Sequence, residues 1–410
     1  MKVLWILNSP LPEAISLLTG QPHVSKSTGS WVCALVDALV QNKDLQLFIA
    51  APSPLVRHPM TFKGTSVTHF ILPPDGNYWK LISDQVQPDL THIHGTEYPL
   101  SLDFVKACGS QRVVVSLQGL VSEYRYFFWG GIPESLIRRY ISLRDIVRKD
   151  SLLTQRDNMS QRGDIEIQLL RSVRHVIGRT FWDKSVSLGI NPNLHYHLCN
   201  EALREPFYSG SWSSDTCIPH RIFLSQGHNP IKGAHTLIEA LPAVVERYPD
   251  TSVHIAGPNI LRCPRLKDRI LRSGFGQYLS DLLHRNHLSD VVHFIGELDA
   301  DSIKKELLEA NVYALVSAIE NSPNSLCEAQ ILGVPSIASN VGGTSALIPD
   351  ESCGLLYPVG DRNALAERIL FTFDHSASFD NTKMRQTAAQ RHNREQIIRD
   401  LMRIYDEVAN

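Results

Sequence analysis

The sequence predicts an α/β protein with two parallel-sheet domains of similar size, and three observations carry that prediction. The chain has 410 residues, which is too long for one ordinary hydrophobic core. Hydrophobic residues make up 43% and charged residues 20% of the chain, a balance typical of globular proteins. Short β-branched runs alternate with longer helical stretches, which favours parallel strands joined by crossover helices.

In the first half, residues 1–7 form an apolar run that is too short for a secretory signal, so they are interpreted as the first strand. A helix over residues 31–41 is expected after the glycine-containing loop that follows this strand. The strands predicted in this half are 3–7, 47–50, 90–93, 113–115 and 176–177.

A second series of strands predicts a second domain. The segment 205–214 contains Pro206, Gly210 and paired serines, a composition typical of a linker, so the hinge is placed there. Apolar residues at helical spacing over 384–408 predict one amphipathic closing helix. The expected domains are 1–208, 209–383 and 384–410, and the strands predicted in the second half are 221–225, 253–256, 291–295, 312–316, 335–338 and 354–356.

Charge and cysteine content exclude several classes of protein. Lys and Arg number 40 against 42 Asp and Glu, a formal net charge of −2, so no global field favours nucleic acid as a partner. The seven cysteines are scattered without a C-x-x-C pair, which argues against a disulfide framework and a cysteine-built zinc site. No apolar run approaches the length of about 18 residues that spans a bilayer. The cytoplasm is therefore the expected location, with the inner face of the membrane as an alternative.

Two glutamates eight residues apart flank a predicted strand-to-helix junction. Backbone N–H groups at a helix start favour an anion, so a diphosphate is predicted to bind the amides of Asn324, Ser325 and Leu326. Glu320 precedes this helix start and Glu328 lies one turn inside it, so both carboxylates are candidates for accepting hydrogen bonds from hydroxyl-rich groups. A solvated loop glutamate and a first-turn glutamate that complements the helix dipole would explain the same pair.

The motifs around this pair resemble those of the large retaining glycosyltransferase family 4. The resemblance extends over most of the chain and implies the GT-B fold, in which two Rossmann-like domains face each other across a cleft and a C-terminal helix closes back toward the first domain. The specific parts are the E-x7-E pair Glu320 and Glu328, then Ala329, Gly333, Val334 and Pro335, the run 338–343, Gly354-Leu355-Leu356 with Pro358 and Asp361, and upstream Ile231-Lys232-Gly233.

The resemblance also implies roles for individual residues. Lys232 would contact the donor phosphates, where a cation stabilises the charge that develops as the nucleotide departs. Glu328 would hold the donor ribose hydroxyls. Glu320 would lie beside the donor sugar as a stabilising or orienting group, because the leaving phosphate is thought to assist deprotonation of the acceptor in such enzymes. No metal or other cofactor is expected.

Three further candidate donor-binding residues depart from the family pattern. His228 stands where the family often has an arginine, and a neutral imidazole binds phosphate more weakly than a guanidinium does. Gln118 stands in place of a histidine near the donor sugar, where it could bond a hydroxyl but not act as a general base. Gly29 is one glycine where the family usually has two, although it still permits close backbone approach.

Two histidine pairs, His92/His94 and His195/His197, have the spacing that puts both rings on one face of a strand. They invite a metal interpretation, but no Asp or Cys neighbour completes a familiar ligand set, so hydrogen-bonded core or cleft histidines are favoured. Basic and apolar residues interleave over 136–174, as on a membrane-surface helix. The acidic residues in that segment favour a solvated face instead.

The function implied by the resemblance is retaining, metal-independent transfer of a sugar from a UDP- or GDP-sugar donor to a glycan or lipid-linked glycan acceptor, in bacterial polysaccharide biosynthesis. Nucleic acid is not expected as a partner, whereas peripheral membrane contact is kept as an option. Two alternatives stay open, a GT-B nucleotide-sugar epimerase and a nucleotide-sugar-binding scaffold without activity. The E-x7-E context opposes the epimerase, and the intact Lys232, Glu320 and Glu328 oppose the scaffold.

Overall fold

The computed structural model describes residues 1–21, 30–261 and 272–410. These residues contain two separate sheets, which confirms the predicted α/β class. The first sheet consists of β1 (Lys2–Ile6), β2 (Gln46–Pro52), β3 (Met60–Lys63), β4 (Thr68–Leu72), β5 (Leu90–His94), β6 (Val113–Ser116), β7 (His175–Gly178) and β8 (His195–Leu198). The second consists of β9 (Arg221–Leu224), β10 (Ser252–Ala256), β11 (Val292–Gly296), β12 (Val312–Leu315), β13 (Ser336–Ser339) and β14 (Leu355–Tyr357).

Helices connect these strands as the crossover pattern predicts. Within the described residues they are α1 (Pro12–Thr19), α2 (Ser30–Leu39), α3 (Trp79–Val86), α4 (Pro99–Cys108), α5 (Val121–Phe127), α6 (Glu134–Arg139), α7 (Leu143–Arg148), α8 (Leu152–Ser172), α9 (Phe181–Ile190), α10 (Ala234–Arg247), α11 (Gly274–Arg285), α12 (Ala300–Glu309), α13 (Asn324–Leu332), α14 (Arg362–His375), α15 (Thr382–Arg391) and α16 (Arg394–Ala409).

The strand order is that of doubly wound sheets. The first sheet runs β3-β4-β2-β1-β5-β6-β7-β8 and the second β11-β10-β9-β12-β13-β14. The β3–β4 pair is antiparallel, whereas the central pairs β1–β2, β1–β5 and β9–β12 are parallel. Central strands are buried on both faces, and Val3, Leu4, Trp5 and Ile6 of β1 are accordingly fully buried.

Every predicted strand overlaps an observed one, but β3, β4 and β8 were not predicted. The β8 segment contains two histidines and is partly exposed at the sheet edge, so it lacks the apolar run that marks a central strand. The strand β3 is also largely exposed. The first crossover helix is α2, which agrees with the helix predicted at 31–41 apart from its ends.

The described residues divide into two compact units. Unit 1 comprises Met1–Ser122, Ser160–Arg204 and His392–Asn410, and unit 2 comprises Glu123–Met159 and Glu205–Arg391. This division differs from the predicted domains 1–208, 209–383 and 384–410 chiefly because residues 123–159 belong to unit 2. The reason is packing, since Ile132 and Ile137 are buried in the core cluster of unit 2.

The predicted single closing helix is two helices, and this prediction was wrong. The helix α15 ends at Arg391, and Asn393 caps α16 by accepting a hydrogen bond from the Gln396 amide at 2.9 Å. The apolar stripe of α16 packs in the core of unit 1, where the Tyr405 hydroxyl accepts a hydrogen bond from Trp5 Nε1 at 2.8 Å. The stripe consists of Ile397, Leu401, Ile404, Tyr405 and Val408. Within the three described ranges, no helix is both long and apolar enough to cross a membrane.

Candidate active site

The predicted lysine and glutamates lie in unit 2, with Lys232 and Glu320 on the segments that follow the carboxyl ends of β9 and β12 and Glu328 in α13. These two strands are neighbours in the sheet, and ligands of open α/β sheets bind at this edge. The loops are joined by a hydrogen bond from the Ala318 amide to the Ile231 carbonyl at 2.8 Å. Gly233 has φ +72°, and a Cβ there would lie 1.8 Å from the Val316 carbonyl oxygen. Glycine is therefore required for this close approach.

A short 3₁₀ turn, Pro230–Lys232, presents the lysine. Asn229 precedes the turn and its side chain accepts a hydrogen bond from the Ile231 amide at 3.3 Å. Lys232 Nζ then lies 2.6 Å from Glu320 Oε1, with the glutamate side chain 7% and the lysine side chain 28% exposed. The lysine thus forms an ion pair with a buried carboxylate while keeping access to solvent.

The backbone of Glu320 is held by the paired glycines of the 338–343 run. The Gly343 amide donates to the Glu320 carbonyl at 2.9 Å. Gly342 has φ +48°, and a Cβ there would lie 2.0 Å from the same carbonyl oxygen. Two motifs that are separate in sequence are therefore in direct contact at Glu320.

Both glutamates of the E-x7-E pair are buried, so the alternative of a solvated loop glutamate at Glu320 does not describe this structure. Burying a carboxylate is costly unless it is paired or hydrogen-bonded. Tyr313 of β12 has a pKa raised above its usual range, first by burial and then by the negative charges of Glu320 and Glu328. The two carboxylates therefore act on the same buried region.

The start of α13 has polar groups placed next to this region. Tyr313 donates from its hydroxyl to Ser325 Oγ at 2.8 Å and lies 3.1 Å from Ser225 Oγ. The Leu326 amide already donates to the Pro323 carbonyl at 3.1 Å, so this one of the three predicted anion-binding amides is engaged within the first turn. Asn324 and Ser325 stay predicted donors to a phosphate. Sequence reasoning missed Tyr313 and Ser225, although the position of Ser225 directly after the carboxyl end of β9 is a usable signal.

His228 lies in the loop between β9 and the 3₁₀ turn. Burial lowers its pKa, and the nearby Lys232 lowers it further, whereas Glu297 acts in the opposite direction. The imidazole is therefore neutral at neutral pH. Its Nδ1 is buried and has no hydrogen-bond partner among the described residues, so it is available to a ligand as a donor or an acceptor.

Gln118 lies in unit 1, after the carboxyl end of β6. The side-chain Nε2 of Gln118 donates to Glu201 Oε1 at 3.0 Å, and the backbone carbonyl of Gln118 accepts a hydrogen bond from Arg179 Nη2 at 3.2 Å. Arg179 Nη1 also lies 2.7 Å from Glu201 Oε2, and both side chains are at most 10% exposed. Sequence reasoning missed Arg179 and Glu201, which follow the ends of β7 and β8.

Arg179 and Glu201 line a pocket of unit 1 together with His92 and His94 of β5. His92 is hydrogen-bonded at both nitrogens, to the Tyr405 hydroxyl and to Ser116 Oγ, at 2.7 Å each. Burial lowers the pKa of His94 to about 3, so its ring is neutral. Gly29 lies outside the described residues.

Comparison with known proteins finds a family model that matches most of the second unit. Residues 220–391 match the family model described as glycosyl transferases group 1. Phosphatidyl-myo-inositol mannosyltransferase of Mycobacterium leprae is 27% identical over 196 residues, 46% of this chain and 46% of that protein. D-inositol 3-phosphate glycosyltransferase of Corynebacterium urealyticum is 28% identical over 142 residues, 34% of this chain and 31% of that protein. The matched parts thus span less than half of these curated relatives.

Solved structures share the fold over the whole chain. Sucrose-phosphate synthase from Thermosynechococcus elongatus superposes with a TM-score of 0.70 and 17% identity, covering 100% of this chain and 99% of that one. Anabaena HepE, solved in complex with UDP, gives a TM-score of 0.64 at 15% identity, covering 99% and 100%. The predicted GT-B fold class, with two Rossmann-like units, is confirmed by these matches. The chain is therefore similar to the glycosyl transferases group 1 through residues 220–391, which are less than half of its length.

Proposed function

We propose that this chain is a retaining glycosyltransferase that moves a sugar from a nucleotide-sugar donor to a glycan or lipid-linked glycan. The observation that carries the proposal is the Lys232–Glu320 ion pair at 2.6 Å, beside the start of α13 and the buried Glu328. This combination supplies a cation for phosphate, an anion for sugar hydroxyls and a helix start in one place.

The solvent access of Lys232 suggests how the site would work. A donor diphosphate would take Lys232 from Glu320, because the ammonium is mobile and partly exposed. Glu320 would then be free to accept a hydrogen bond from the sugar, and Glu328 from the ribose. Lys232 would stabilise the negative charge that develops on the departing nucleotide, a contribution of several kcal/mol in comparable sites.

Retention and metal independence belong to the same proposal. The leaving phosphate would take the acceptor proton on the same face of the sugar, so no separate base is required of Gln118. Lys232 supplies the positive charge that a metal ion would otherwise supply. His228, with its buried and unpaired Nδ1, would add a neutral hydrogen bond to the donor.

The names of similar proteins suggest where to look for substrates. HepE has been solved with UDP-glucose, so UDP-sugars are the first donors to test, followed by GDP-sugars. The M. leprae relative is named as a mannosyltransferase of phosphatidyl-myo-inositol, which favours a lipid-linked acceptor. A role in bacterial polysaccharide biosynthesis is part of this proposal.

An exposed apolar and basic patch on α7 supports peripheral membrane contact at the cytoplasmic face. Leu143, Ile146 and Val147 are 68%, 61% and 81% exposed, which is unusual for three neighbouring aliphatic side chains on one helix face. Asp145 points inward and accepts a hydrogen bond from the Gly274 amide at 2.8 Å. The patch, hereafter the α7 patch, also includes the exposed basic residues Arg148 and Lys149.

The test is donor turnover by the purified full chain without added metal. UDP- and GDP-sugars are screened for binding by calorimetry and for nucleotide release, with a glycan acceptor, and the anomeric configuration of the product is read by NMR. Lys232→Ala and Glu328→Gln are compared with Lys305→Ala, a change at a lysine that is 73% exposed.

A retained anomer formed by wild type and Lys305→Ala, but not by the two site variants, is expected. Tight donor binding without transfer or hydrolysis would favour the scaffold. Conversion of the donor to its epimer without an acceptor would favour the epimerase.

A further inference from the structure

Three histidines and a glutamate meet on one face of unit 1, at the β7–β8 edge of its sheet. His175 of β7 is the register partner of His195 of β8, and His197 lies two residues further along β8. All three side chains therefore point to the same face. Glu407 reaches the same place from α16.

The distances suit a single metal ion. His175 Nδ1 and His197 Nε2 are 3.1 Å apart, close to the separation of about 3.3 Å between two nitrogens that each lie about 2.0 Å from one tetrahedral zinc ion. Glu407 Oε2 lies 3.9 Å from Nδ1 of His197, which is the other nitrogen of that ring. One ligand atom from each of the three residues falls within 4.8 Å of the others, so a rotation of the exposed Glu407 side chain would bring its carboxylate to an ion held by the two rings.

The chemistry of the donors also suits a transition metal. Imidazole nitrogens and carboxylate oxygens are ligands that ions of the zinc type take in proteins. The His197 side chain is 10% exposed and that of Glu407 is 54% exposed. The site is therefore shielded from solvent at His197 and accessible to solvent at Glu407.

We propose that His175, His197 and Glu407 bind a divalent transition-metal ion of the Zn²⁺ type, which fastens α16 to the edge of the unit 1 sheet. Three protein ligands leave a fourth position for water or for His195, whose ring centroid lies 5.1 Å from that of His175. The ion is structural, because these residues belong to unit 1 whereas the Lys232–Glu320 pair belongs to unit 2. The sequence suggested pairs along one strand, but this arrangement pairs histidines across two strands.

The test is metal binding by the full chain after removal of bound ions with a chelator. Zn²⁺ is titrated by calorimetry, and Co²⁺ is used as a spectroscopic probe because its visible absorption reports ligand number and type. One equivalent of Zn²⁺ should bind and should raise the thermal unfolding midpoint. Glu407→Gln, at an exposed helix position, and the double variant His175→Gln/His197→Gln should each weaken binding about tenfold or more, a loss at least as large as that seen for outer-shell changes.

The matched control is His58→Ala, which removes an exposed histidine of the same unit and should leave binding unchanged. Stoichiometric binding that survives the double histidine variant would overturn the proposal, as would the absence of binding by wild type. Because Glu407→Gln leaves the core intact, unchanged Zn²⁺ affinity in that variant would exclude the carboxylate as a ligand even if the double variant failed to fold.

Discussion

Each unit carries an ion pair at the carboxyl edge of its sheet, and the two pairs differ in how closely the cation is held. In unit 1, Glu201 accepts hydrogen bonds from both Arg179 and Gln118, and the arginine is almost fully buried. In unit 2, Glu320 is buried but Lys232 is 28% exposed. A planar, forked guanidinium with two acceptors is fixed in place, whereas a lysine on a flexible stem can change partner.

This difference separates a structural pair from a functional one. If a buried cation moves away from its partner, the partner carboxylate stays in the interior as an unpaired charge. The lysine can move toward an incoming phosphate without that penalty on itself, and the phosphate replaces the lost partner. Substitutions in unit 1 should therefore act mainly on stability, and substitutions in unit 2 mainly on turnover.

The largest expected effect is loss of stability in Arg179→Ala. Removing one partner of a buried pair costs about 3–5 kcal/mol, because Glu201 keeps Gln118 but loses its counter-charge. Urea unfolding followed by hydrogen exchange in unit 1 measures the change. The double variant Arg179→Met/Glu201→Leu should recover part of the loss. Full stability with lost activity in Arg179→Ala would contradict the comparison and would place the arginine in substrate binding.

Next in size is loss of turnover in Lys232→Ala. Removing a group that stabilises developing charge lowers kcat by about 100- to 1,000-fold. Because Glu320 is buried and loses its counter-charge, the variant also loses stability, but less than Arg179→Ala does, since the lysine that it removes is partly exposed. Initial rates with saturating donor measure the effect, with Lys305→Ala as the matched control. If Lys232→Ala unfolds in as little urea as Arg179→Ala does, the lysine would be structural and the contrast between the units would fail.

A smaller effect is expected from acidification. Burial lowers the pKa of His94 in unit 1 to about 3 and that of His235 in unit 2 to about 4. The unfolded chain then binds more protons than the folded chain below about pH 6.5, so stability falls as pH decreases. Between pH 6.5 and 5 the loss for His94 is about 2 kcal/mol.

Unit 1 should lose more stability than unit 2, because burial also lowers the pKa of His92 well below its usual value. Urea unfolding at pH 7 and pH 5, with hydrogen exchange resolving the units, tests this order. Equal losses of stability in both units would show that His92, which lies beside His94, does not add to the acid-induced loss.

The smallest expected effect concerns the α7 patch. Each basic residue near an anionic bilayer contributes about 1 kcal/mol, so Lys149→Ala should weaken binding to phosphatidylglycerol vesicles about fivefold. Ile146→Ser should weaken it as well, because an exposed apolar side chain is removed from the membrane interface. Lys305→Ala serves as the control in vesicle sedimentation. Undiminished sedimentation of both patch variants would remove the α7 patch as a membrane contact.

The alternation of strands and helices was readable from the sequence because central parallel strands are apolar on both faces. Edge strands such as β8 escaped prediction because they are polar, and residues 123–159 were assigned to the wrong half because burial depends on partners distant in sequence. The break at Asn393 was missed because Ile397 and the other apolar residues of α16 continue the helical spacing of the preceding segment.

The sequence by itself determined the family motifs and the residues Lys232, Glu320 and Glu328, since their spacing can be recognised without any knowledge of contacts. Only the tertiary structure decided which residues meet. The Lys232–Glu320 pair joins positions 88 residues apart, and Arg179 reaches Glu201 across two strand ends. The physical reason is that parallel strands bring their carboxyl ends to one edge whatever their distance in sequence, so strand order decides which side chains share a site.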